Sequence, residues 1–294
     1  HTGCDPDSSQ RDEYTRRVSQ TYDLIRNQHF AVDLVTERQL AGKLGDYKLL
    51  VIPSRSILTD AELKLLEEFL RKGGKILAFG KSFDRNEFYE PRPVPALLGV
   101  KKREPAPWNR GQMRLVEVPA DLSEFFPTEL IVQEPERINP LPMEQAIPGY
   151  IPKSSLESHI PLAANQDAYA SIVMSNDSQA VYCAFDSLYS EGLSELLGGI
   201  VERKLGIPRE MRITRPGSSD EAVELLSAVN RDGGDVALLF ANSGGRRGSW
   251  DVAVPGIADG EWKELASGKS VAVKDGRFSL ALPAYGYAVL HPVR

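Results

Sequence analysis

The polar residues best placed to do chemistry in this sequence stand directly after short apolar runs that read as parallel strands. Ser54 and Arg55 follow Leu49 to Ile52, Lys81 and Asp84 follow Lys75 to Phe79, and Asp186 and Ser187 follow Gln179 to Phe185. Open α/β sheets bind ligands outside the carboxyl ends of their strands. The chemistry expected of Arg55, Lys81, Asp84 and Asp186 is therefore ligand binding. Turn formation and helix capping use the same residue types and are the competing explanation.

Catalysis finds less support. A nucleophile elbow places Ser or Cys between small residues directly after a parallel strand. The strand at 75–79 runs into Gly80-Lys81-Ser82-Phe83, where bulky Phe83 suits an elbow poorly and neither cysteine is near. Ser82 reads as an ordinary loop serine. His29, His159 and His291 belong to no H-x-H or H-x-x-x-H set, so no metal site is expected. His29 ends a helix, where a cation interacts well with the helix dipole. No G-x-G-x-x-G lies between a strand and a helix, and no cofactor is implied. Glu67-Glu68 reads as a solvated helix face and Glu134 with Glu136 as a loop. Neither pair can be assigned to a hydrolytic cleft. Trp108, Trp250 and Trp262 could stack on a sugar or fill a core, and Trp262 looks more like packing. No catalytic residue is assigned.

The scaffold for the strand ends is the stretch Tyr47 to Gly80. Leu49 to Ile52 is an unbroken apolar run, as in a strand buried on both faces. Thr59 and Glu62 form a T-x-x-E capping box before Leu63, Leu66, Phe69 and Leu70 at helical spacing. Gly73 supplies a left-handed stop, and Lys75 to Phe79 is the second strand. This makes a right-handed βαβ unit. Upstream, a helix is expected at Arg11 to Gln28 with Val18, Tyr22 and Ile25 on one face, a strand at Phe30 to Val35, and a short helix at Glu37 to Leu44. That order implies a doubly wound α/β domain.

Residues 81–165 are proline-rich and read as a long excursion with some β structure. A hairpin follows (Tyr169 to Met174 and Gln179 to Phe185), then a helix from Glu191 to Leu205 stopped by Gly206. From Met211 short strands come in quick succession, at 223–229, 235–242, 250–254, 269–273, 277–282 and 286–291. They predict a small antiparallel sandwich. The expected division is 1–208 and 209–294.

The 294 residues carry a formal net charge of −6 with both signs mixed, which gives no footprint for nucleic acid. No apolar run approaches the ~20 residues needed to span a bilayer, so no membrane partner is expected. The two cysteines are too few for a disulfide scaffold. Cys183, in AVYCAFD, reads as a small core residue, and a Cys4–Cys183 bridge stays open. The chain starts with His and has no recognisable signal peptide, so it reads as processed or as a piece of something longer, with the cytoplasm favoured.

Two stretches resemble a known family. HFAVDLVTERQLAGKLGDYKLLVIPSRSILTDAELKLLEEFLRKGGKILAFG, residues 29–80, resembles the middle domain of family-42 β-galactosidases. RFSLALPAYGYAVLH, residues 277–291, resembles their small C-terminal β domain. The resemblance spans residues 12–80 and 168–294. It implies a flavodoxin-like, class I amidotransferase-like domain without its catalytic cysteine, which mediates trimer formation. The glycosidase carboxylates of the family lie on an upstream TIM barrel, so no catalytic residue transfers. The expected function is that of a non-catalytic C-terminal region of a glycoside hydrolase, serving assembly and shaping the substrate entrance. Its partners would be further copies of itself, as a trimer, and the upstream barrel. The alternatives are an independent carbohydrate-binding protein and a hydrolase of amidotransferase-like fold with an unrecognised site.

Overall fold

The computed structural model of the chain describes residues 8–54, 57–80, 82–83, 85–92, 96–98, 104–105, 112–113, 130–131, 149–152, 159–164, 169–175, 178–183, 193–217, 225–232 and 235–293. The chain divides into two compact units. One comprises His1–Leu24 and Asp33–Ile207, the other Ile25–Val32 and Pro208–Arg294.

Helix α1 spans Ser8–Arg26. Its buried face holds Arg17, Thr21 and Leu24, spaced one turn apart. Of the apolar stripe expected from the sequence, Ile25 is buried, whereas Val18 and Tyr22 are only half-buried. Helix α2 (Glu37–Lys43) buries Leu40. The expected strand at Phe30 to Val35 does not form. Those residues belong to no helix or strand, and Leu34 is exposed. As a result β1 (Leu49–Ile52) lies at the edge of its sheet, with Ile52 buried and its other residues half-buried.

The βαβ unit forms as its local signals dictate. Helix α3 (Asp60–Arg71) connects β1 to β2 (Lys75–Phe79), and the two strands pair in parallel with Leu50 opposite Ile76. At the start of α3, the Glu62 N–H donates to Thr59 Oγ1 at 3.1 Å and the Thr59 N–H donates to Glu62 Oε2 at 2.7 Å. These bonds satisfy two donors that a helix start leaves free. At its end the Gly74 N–H reaches the Phe69 carbonyl and the Gly73 N–H the Leu70 carbonyl. Gly73 stands at φ +91°, and a Cβ there would meet nothing within 4 Å. Gly73→Ala should therefore lose only the backbone term, ~1 kcal/mol, and Gly73→Val more because of its branching. Urea denaturation of the full chain measures both; an unchanged midpoint would contradict the left-handed assignment.

The rest of the first unit is strand-rich. It contains β3 (Glu104–Pro105), β4 (Gln112–Met113), β5 (Leu130–Ile131), β6 (Gly149–Pro152), β7 (His159–Ala164), β8 (Tyr169–Ser175) and β9 (Ala180–Cys183). Helix α4 (Leu193–Gly199) runs into a π-helical turn at Ile200–Lys204, and Gly206 stops it at φ +67°. Strands β1, β2 and β9 are parallel. Strands β8, β7, β6 and β3 extend the same sheet with antiparallel pairings. The sheet is therefore mixed, and strands from the proline-rich excursion build part of it. The reason is local: the Ser175–Ser178 turn sends β9 back along β8, and its residue Ser178 adopts φ +56°. Leu66, Ile76, Ala78, Phe83, Leu98 and Tyr182 share one buried core, against which Leu97 packs.

In the second unit, β10 (Arg212–Thr214), β13 (Gly248–Ala253) and β16 (Arg277–Leu282) form one antiparallel sheet. A second consists of β11 (Leu225–Asp232), β12 (Asp235–Asn242), β17 (Tyr287–Pro292), β14 (Gly260–Glu264) and β15 (Ser270–Val273). Strand β16 alternates exposed and buried residues without exception, the period of a half-buried strand. The two inner faces share a core, and Phe240 of β12 meets Phe278 of β16 edge-to-face at 5.9 Å. Strands β10 and β14 have no counterpart in the sequence expectation. No described helix is long and apolar enough to cross a membrane.

Candidate functional site

Arg55, Lys81, Asp84 and Asp186, the four residues expected to bind a ligand, lie outside the described residues, as does Ser187. What the structure describes at these strand ends is their support. Ser54 and Ser82 are fully buried. Ser82 Oγ lies 2.9 Å from the Pro53 carbonyl and 2.5 Å from the Phe79 carbonyl, so its single hydrogen is committed to the backbone. Tyr182 donates its hydroxyl hydrogen to the Gly80 carbonyl. These side chains tie the end of β1 to the end of β2 and β2 to β9.

This geometry does not activate a nucleophile. Two left-handed positions follow β2, Gly80 at φ +50° and Phe83 at φ +64°, and the non-glycine one, Phe83, is fully buried. An elbow would use such a strained position to lift a reactive group out of the sheet, whereas here it turns an aromatic ring into the core. Cys183 is a free, fully buried thiol whose pKa burial pushes up, which favours the inert thiol form. The core reading of Cys183 holds, and Cys4, its only possible bridge partner in the sequence, lies outside the described residues. Among the described residues, no cluster of three His, Cys, Asp or Glu could hold a metal ion.

Trp250 and Trp262 are 2% and 1% exposed, so neither offers a face to a sugar. Trp108 lies outside the described residues. The exposed aromatics are others. Tyr285 and Tyr287 are 75% and 68% exposed at one end of the β domain, and Phe88 is exposed in the first unit. A Cβ on Gly245 would lie 3.1 Å from the Tyr285 hydroxyl, so that glycine leaves the tyrosine its place. Asn242 staples the two supporting loops by donating to the Arg246 and Pro283 carbonyls, both at 2.8 Å. Tyr285 sits in the turn between β16 and β17, at φ +53°, and Tyr287 opens β17; both lie in the stretch 277–291, but nothing in its pattern marks them as exposed.

The other polar centre is buried. His29 is 6% exposed, and its Nδ1 lies 3.0 Å from Ser227 Oγ. Burial first, then the positive charges of Arg209 and Arg26, hold its pKa down at about 4. The ring is therefore neutral near pH 7, which overturns its reading as a cation on a helix dipole. Desolvation disfavours the charged form more than the helix end favours it.

No protein-family model matches this sequence, and no curated protein matches it. Solved structures do match its fold. A β-galactosidase from Bacillus circulans sp. alkalophilus aligns with TM-score 0.66 and 15% identity over 95% of this chain and 38% of its own. A catalytic mutant of a GH42 β-galactosidase from G. stearothermophilus gives 0.64 and 14% over 96% of this chain and 36% of its own. The α-L-fucosidase isoenzyme 2 from Paenibacillus thiaminolyticus gives 0.63 and 15% over 92% of this chain and 44% of its own. This chain thus spans less than half the length of each of these proteins, and at such identities the likeness is one of fold.

Proposed function

We propose that this chain is the non-catalytic C-terminal region of a glycoside hydrolase related to the family-42 β-galactosidases, serving oligomer assembly and shaping the substrate entrance. The observation that carries the reading is coverage: more than nine-tenths of this chain follows little more than a third of each β-galactosidase. The fold of the first unit is taken as amidotransferase-like, and the buried Ser82 and Phe83 at the end of β2 agree with a domain that has lost its nucleophile. Assembly as a trimer would need a heterologous, closed interface. The excursion at 81–165 is the proposed source of contacts. Leu97 within it packs on the unit's own core instead, while Trp108, Phe125 and Phe126 lie outside the described residues.

The test is incubation of the purified chain with a panel of aryl glycosides, together with sedimentation equilibrium over a wide concentration range. The expected result is no turnover above an unrelated control protein, with self-association. Turnover that survives repurification would overturn the non-catalytic reading, and a single monomer mass throughout would remove the assembly role. A second reading, sugar binding by the isolated chain, is favoured by exposed Tyr285 and Tyr287, since aromatic faces stack on sugars. Titration with mono- and oligosaccharides separates it: saturable binding lost in Tyr285→Ala would support this second reading.

A further inference from the structure

Strand β10 lies at the edge of the three-stranded sheet of the β domain, and β11 lies at the edge of the five-stranded one. One residue from far upstream in the sequence joins them. The His29 carbonyl accepts the Glu210 N–H, just before β10, at 3.0 Å. The His29 ring meets Ser227 Oγ on β11, also at 3.0 Å. The neighbours of His29 anchor it. Arg209 Nη1 donates to Gln28 Oε1 at 2.9 Å and lies 3.3 Å from the Gln28 carbonyl, and Gln28 is fully buried. The Arg209 guanidinium sits over the Phe30 ring, 5.4 Å from its centroid, and Phe30 is buried.

We propose that Ile25–Val32 is an acid-released clasp of the β domain: protonation of His29 ejects the segment from the edges of the two sheets while the sheets stay folded.

Three observations make this residue the release point. His29 holds φ +59°, a conformation that strains a residue with a side chain and persists only while its surroundings enforce it. Its Nε2 is buried with no hydrogen-bond partner among the described residues. A proton placed there would create a buried N–H without an acceptor. The charged groups acting on the ring are both cations, Arg209 before β10 and Arg26 at the end of α1. Ser227 of β11 is neutral, and Glu210 gives the His29 carbonyl its backbone N–H. Protonation therefore adds a third positive charge in a dry place. The docked ring resists protonation down to about pH 4, whereas a released ring takes a proton near 6.5. Docking is complete above that value and is lost as the pH falls toward the docked one.

Hydrogen exchange on the full chain, corrected for the intrinsic pH dependence of exchange, tests this. Between pH 6.5 and pH 4, the opening constant seen by peptides covering 25–32 and 208–212 should rise about a hundredfold, as the shift in ring pKa requires. Peptides from β12 and β17 should keep their protection. His29→Asn, which tolerates a left-handed backbone and does not titrate, should abolish the step. A uniform loss across all strands, or an unaltered step in His29→Asn, would overturn the clasp. If the variant fails to dock, NMR titration of the wild-type ring decides: a His29 that protonates near pH 6.5 while the segment stays protected would also overturn it.

Discussion

Trp262→Ala is expected to lower the stability of the β domain by about 3–5 kcal/mol, the usual range for deleting a buried tryptophan. Trp262 is 1% exposed and belongs to the core shared by both sheets. Its indole N–H donates to the Ala258 carbonyl at 3.1 Å, so truncation removes a hydrogen bond as well as a ring. Trp250→Ala should fall at the lower end of that range. Its ring is as deeply buried, but its Nε1 has no partner among the described residues, and deletion relieves an unsatisfied donor. Urea unfolding of the full chain followed by far-UV circular dichroism, with hydrogen exchange on β12 and β17, measures both. Wild-type stability in Trp262→Ala would show that the indole does not pack as described, and a larger loss for Trp250→Ala would reverse the argument about the unpaired nitrogen.

Gly276→Ala should cost about 2–5 kcal/mol, combining left-handed strain with overpacking. Asp275 and Gly276 stand at φ +52° and +68° between β15 and β16, the two positive values of a tight hairpin turn. A Cβ on Gly276 would lie 2.6 Å from the Val254 carbonyl oxygen, which is backbone and cannot swing away. The Gly276 carbonyl also accepts the Val254 N–H at 2.9 Å, and its own N–H donates to Asp259 Oδ1 at 3.1 Å. The contrast with Gly73→Ala is the test. Both glycines are left-handed, but only Gly276 is crowded, so equal losses in the two variants would show that backbone strain alone sets the effect.

The strand ends divide between what the sequence could and could not reveal. Ser82 as a non-nucleophile was readable from bulky Phe83 beside it. That Phe83 itself adopts a left-handed backbone, and that Ser82 spends its hydrogen on the backbone, follows from the approach of β1 to β2 and has no local signature. Burial of Cys183 was readable from the apolar residues alternating around it. The antiparallel pairing of β8 with β9 was readable from the polar turn between them, but that β9 also pairs in parallel with β2 in the same sheet was not, because an apolar strand looks the same whether its neighbours run parallel or antiparallel to it.

By itself the sequence determined the elements whose signals are short-ranged. The Thr59–Glu62 box closes over three residues, the Gly73 stop over one turn, and the inward and outward alternation of β16 over six. Tertiary structure alone decided the rest. An apolar run at Phe30 to Val35 satisfies strand propensity, yet Phe30 lies under Arg209 and the run joins no sheet. His29 looked like a helix-end cation and is a buried neutral ring. Its partner Ser227 is 198 residues away, and a hydrogen bond across that separation leaves no periodicity or spacing in the chain, because it exists only once both ends are folded.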